Sequence, residues 1–136
     1  MLLSDDARTT AGILLLTIVA VELGGVYMLR VVRGGVPLTP FQRSFARAGH
    51  AHAGVLVLAA LICQVLADAA DLSGLHGVVA RSGVPLAAIL FPAGFFLSSV
   101  GRGRTEPNRL IWLLYLGGAV LAASVVALGI GLLSQR

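Results

Sequence analysis

Residues 48–67 read "AGHAHAGVLVLAALICQVLA". From Gly54 to Ala67 this stretch carries no charge, and its only polar side chains are Cys63 and Gln64. At ~1.5 Å per residue a helix of this length crosses ~30 Å of hydrocarbon. Two histidines, His50 and His52, stand at its entrance behind Arg47. The apolar run fixes the kind of protein, and the histidines pose the functional question.

Three further stretches resemble this one: 10–31, "TAGILLLTIVAVELGGVYMLRV"; 82–100, "SGVPLAAILFPAGFFLSSV"; and 110–133, "LIWLLYLGGAVLAASVVALGIGLL". Charged residues make up 12% of the chain, against about 25% in soluble domains. The first run begins after Asp5 and Asp6, exceeds the h-region of a signal peptide and has no clear small-residue cleavage site, so it reads as a mature helix. "RGGVPLTP" (33–40), "ADLSGLHG" (70–77) and "GRGRTEPN" (101–108) separate the runs as turns. Short connections predict an all-α integral membrane protein, an antiparallel four-transmembrane-helix bundle in a single domain over 1–136.

All ten basic residues are arginine. Seven of them (Arg30, Arg33, Arg43, Arg47, Arg102, Arg104 and Arg109) flank the first and third connections, and only Arg8, Arg81 and Arg136 lie on the other side. By the positive-inside rule both connections are cytoplasmic, with both termini outside the inner (plasma) membrane. The basic balance is thereby explained without a nucleic-acid partner. One cysteine, Cys63, forms no intrachain disulfide and leaves the redox compartment open.

Small residues (Gly24, Gly25, Gly117, Gly118, Gly129, Gly131, Ala122, Ala123, Ser124) let membrane helices approach closely, within the bundle or between subunits. Pro85 is expected near the start of the third helix, where its missing N–H costs little. Pro92 is expected inside that helix, where it kinks the chain and frees a carbonyl.

Two positions apart on a helix is about 200° of rotation, so His50 and His52 face opposite ways. Gly54, Leu61, Gln64 and Asp68 run below His50; Leu56, Ala59, Cys63 and Ala70 run below His52, where small side chains leave room for a flat ligand. Zinc wants three or four ligands. Cys63 lies about 16 Å from His52 along the axis, and His76 lies at the opposite membrane face. Haem iron needs one axial histidine; Arg30, Arg43 and Arg47 could pair with its propionates. The alternative is local hydrogen bonding of both rings near the interface. Glu22, inside the first run, is an intramembrane carboxylate and hence a candidate catalytic residue. The bland alternative is a neutral acid bonded to a neighbouring helix. Antiparallel stacking predicts its level near Leu56.

"GILLLTIVAVELGGVYMLRVVRGG" (12–35), "FARAGHAHAG" (45–54) and "AGFFLSSVGRGRTEPNR" (93–109) together resemble the small four-helix membrane isomerases, styrene oxide isomerase and the hydroxylaminobenzene mutases. That resemblance implies a homotrimer with haem b at the subunit contacts, the iron acting as a Lewis acid on an epoxide oxygen. Its axial ligand is His52 if carried over by "AHAG" and His50 if carried over by the distance from "ARA". The small-residue stripe favours His52. Where the family has an asparagine in the second helix and an aspartate and a tyrosine in the third, this chain has Leu58, Ala88 and Phe96. The resemblance therefore implies a metal-binding haem site more strongly than epoxide chemistry. Three readings follow: a haem protein open to a small apolar ligand, a haem-free subunit of a larger membrane complex, and a small transporter using Glu22.

Overall fold

The computed structural model describes residues 3–134. It consists of four long helices joined by tight connections: α1 (Asp5–Val32), α2 (Pro40–Ala69), α3 (Gly74–Ser98) and α4 (Trp112–Leu133), the last entered through a 3-10 turn at Arg109–Ile111. All four are long and apolar enough to cross a membrane, and the chain is a multi-pass membrane protein of the expected all-α class. Arg136 lies outside the described residues.

The helices begin earlier than the hydrophobic runs do. Ser4 caps α1 by accepting from the Ala7 N–H, with Asp5 and Asp6 in the first turn against the positive end of the helix dipole. Thr39 and Gln42 form a reciprocal capping box around Pro40, which starts α2 eight residues before the apolar stretch. α3 starts at Gly74, so the second half of the expected "ADLSGLHG" turn is helix and His76 sits in its first turn. Pro85 is consequently deep inside α3 rather than near its start. The carbonyl it orphans, that of Arg81, accepts a 2.6 Å hydrogen bond from Gln64 Nε2 on α2. α3 continues unbroken through Pro92.

α1 packs principally on α2, and α4 packs chiefly on α3. The main core draws on all four: Leu14 from α1; Val57, Ala60, Cys63 and Ala67 from α2; Ala80 and Val84 from α3; Leu128 from α4. A second cluster joins Met28 and Val31 of α1 to Ala46 of α2. At the end bearing the α2–α3 turn, Asp68 pairs with Arg81. It also accepts from the Ser4 amide at 2.6 Å and the Ser4 hydroxyl at 3.1 Å. At the other end Gln42 Nε2 donates to the carbonyls of Ser99 (2.9 Å) and Gly101 (2.7 Å), tying α2 to the α3–α4 connection.

The glycine-rich faces divide between two roles. Gly117 packs against Leu90 and Phe91, and Gly131 against Leu72, whereas a side chain at Gly129 would meet nothing. The closest approach is at Gly83, where an added Cβ would collide with Ser124 Cβ and lie 3.1 Å from the Val120 carbonyl. Ser124 Oγ donates to the Ala80 carbonyl at this crossing, at 3.1 Å. Gly83→Ala should therefore separate α3 from α4 and cost about 1–3 kcal/mol, read as a lower unfolding midpoint in lipid–detergent micelles. Gly129→Ala should leave the midpoint unchanged, and equal effects at the two sites would contradict this packing.

Candidate functional site

His52 lies in the fourth turn of α2 and turns toward α3. Its ring stacks on Phe91 (centroids 5.2 Å apart, planes 8° apart) and touches Phe95 at 5.1 Å. Phe95 meets Phe45 edge-on at 5.4 Å, and Phe45 meets Phe41 at 4.3 Å. Four of the five phenylalanines thus form one aromatic wall along the α2–α3 surface, each half-buried. On α2 the wall follows from helical spacing: Phe41, Phe45 and His52 are four and then seven residues apart and share a face.

His52 Nδ1 lies 2.7 Å from the Ala48 carbonyl. A carbonyl only accepts, so Nδ1 is the donor here, and in the neutral ring Nε2 keeps its lone pair. Ring packing and this bond together hold the imidazole in one tautomer. That is how a protein prepares a histidine to bind a metal through Nε2.

His50 faces elsewhere, as the 200° rotation requires. Its ring lies against α1, where a Cβ on Gly24 would come within 3.2 Å of Nδ1 and one on Gly25 within 3.7 Å of Nε2. The Gly24–Gly25 pair makes room for the ring, and His50 closes one end of a cavity between α1, α2 and α3. The two histidines therefore serve two different surfaces.

Arg43 and Arg47, one turn apart and both exposed, line a shallow surface hollow with Pro40 and Ser44. By helical rotation they lie about 140–180° from His52 and within about 60° of His50. They are on the far side of α2 from the His52 ring. Arg30 is exposed in the last turn of α1.

Glu22 is exposed on α1, not turned into a neighbouring helix. Val21 beside Gly54 and Gly24 beside His50 place it at the level of His52, about one turn from the expected level of Leu56. Leu58 is exposed, while Ala88 and Phe96 line the cavity; none offers a polar atom to a substrate. Cys63 is buried in the main core. Among the described residues no three His, Cys, Asp or Glu side chains come together. Zinc needs three or four such donors, whereas haem iron asks for one histidine.

Sequence reading did not find the aromatic wall or the Asp68–Arg81–Ser4 cluster. The i, i+4 pairs Phe41/Phe45 and Phe91/Phe95 were the available signal for the wall. No protein-family model, curated protein or solved structure matches this chain.

Proposed function

We propose that this chain is a haem-b-binding membrane protein whose iron is held by His52 Nε2. The observation that carries the reading is the His52 ring, fixed by Phe91, Phe95 and the Ala48 carbonyl with one lone pair left over. The half-buried aromatic wall beside it offers the flat apolar surface that a macrocycle covers. When bound, the haem would supply a Lewis-acidic iron. The protein's own part is ligation, exclusion of water by the phenylalanines, and a surface at the bundle's flank.

That flank suggests an assembly, and the resemblance to the trimeric isomerases favours three copies. A haem on the α2–α3 surface is half-covered by one subunit, and Arg43 and Arg47 are turned away from it. In an oligomer their guanidinium groups would be free to pair with propionates of a neighbour's haem. Glu22 supports the same reading, since an uncovered carboxylate at hydrocarbon depth costs about 3 kcal/mol and a second copy can cover it. The absence of polar side chains at 58, 88 and 96 leaves epoxide isomerisation without partners in this chain, and we assign no substrate.

Pyridine haemochrome spectra and native mass spectrometry of the purified protein test this proposal. A b-type spectrum on an oligomer is expected, and a haem-bearing monomer would overturn the assembly. For orientation we adopt the arginine bias. Reporter fusions at Pro37 and Thr105 should read cytoplasmic, and a periplasmic signal at both would reverse the topology.

A further inference from the structure

The cavity closed by His50 is separate from the His52 wall, across α2, and is not used by the proposed haem site. It encloses about 410 Å³, within the usual size range of ligand pockets. Along α1 it is lined from Thr10 to Gly24, about 21 Å of helix, so it is long and runs parallel to the bundle axis. Ile13 and Ile89, 59% and 66% exposed, stand at its mouth and open it toward the lipid side.

The walls are mostly apolar: besides the hydroxyl of Thr17, which donates to the Leu14 carbonyl, and that of Thr10 at the far end, two polar groups stand near the His50 end. His50 has no hydrogen-bond partner among the described residues, and it lies two residues, about 3 Å, inside the apolar run of α2. Pro92 has no N–H, so the Ala88 carbonyl one turn before it lacks its helical donor, and both residues line the cavity. The corresponding carbonyl at Pro85 is satisfied by Gln64. An imidazole without a partner at the edge of the hydrocarbon layer is costly, and a carbonyl without its usual α-helical donor can accept a further hydrogen bond.

We propose that this cavity binds an elongated apolar molecule, such as an alkyl or isoprenoid chain, that ends in one neutral hydroxyl. The chain fills the cleft beside Ile13, Leu14 and Ile89. The hydroxyl accepts from or donates to the His50 ring and can donate to the Ala88 carbonyl. A phospholipid tail would fill the same walls, but its ester carbonyls only accept hydrogen bonds, so it has nothing to donate to the Ala88 carbonyl.

The test uses full-length protein in lipid nanodiscs with 1-hexadecanol carrying a mid-chain diazirine, photolysed and mapped by peptide mass spectrometry. Adducts should concentrate on Ile13 and Ile89 over lipid-facing Leu16 and Val125, and unlabelled hexadecanol, not hexadecane, should suppress them. His50→Leu should lower cavity labelling by about 5–10-fold, the effect of one hydrogen bond. It should leave labelling by the corresponding hexadecane diazirine unchanged. Ala53→Phe, which fills the cleft, should abolish both. Equal labelling of cavity and lipid-facing residues in the native protein would overturn the proposal without recourse to any variant. So would equal competition by hexadecane, or displacement of the probe by haemin, which would make the cleft the haem's own site.

Discussion

His52→Ala should yield protein that folds but retains no Soret band, while His50→Ala should keep the band with at most a small shift. The asymmetry follows from what surrounds each ring. His52 is stacked on Phe91, touches Phe95, and spends its Nδ1 proton on Ala48, which leaves Nε2 as a ligand. His50 lies against the Gly24–Gly25 pair and closes one end of a different cavity. Phe91→Ala and Phe95→Ala should fall between these extremes. They leave the ligand in place but loosen its orientation, and groups that orient a metal ligand typically contribute about 10–100-fold in affinity. An unchanged band in His52→Ala, with loss in His50→Ala, would move the iron to the other face of α2.

The largest stability effect is expected at Arg81. Its guanidinium pairs with Asp68, whose side chain is 8% exposed, and also donates to the carbonyls of Ala67 (3.3 Å) and Leu72 (3.2 Å). Asp68 in turn holds the Ser4 amide and hydroxyl. One ion pair therefore closes the α2–α3 turn and fastens the start of α1, a helix otherwise packed mainly on α2. Arg81→Leu leaves the carboxylate buried without its cation, which should cost roughly 3 kcal/mol. Asp68→Asn in that background should recover part of the loss, because the amide carries no charge to strand. A double-mutant cycle on unfolding in mixed micelles measures the coupling. Additive single effects would show that the pair does not act as a unit.

The four-helix membrane fold was legible because one property, uninterrupted apolar length, carries it. The ends of the helices were less so. Hydrophobicity marks where lipid begins, whereas hydrogen bonding marks where a helix begins. Thr39–Pro40–Phe41–Gln42 is a capping signature in plain view, yet it lies outside the apolar run. Pro85 was misplaced for the same reason: α3 continues through Gly74, Leu75 and His76 at the membrane's edge. At the candidate site, helical rotation separated His50 from His52 correctly, since both lie on one helix. Which residues each ring would meet depended on how α1 and α3 pack on α2. Sequence spacing does not encode that packing, so the Phe91 and Phe95 contacts and the exposure of Glu22 became visible only in three dimensions, whereas the turn of Arg43 and Arg47 away from His52 follows from helical rotation alone.

Haemin titration into the purified protein in lipid nanodiscs, followed at the Soret band, tests the central claim most directly. The account predicts a saturable, histidine-ligated spectrum at one haem per subunit that disappears in His52→Ala. A spectrum that matches haemin in empty nanodiscs, with no saturation and no dependence on His52, would contradict it.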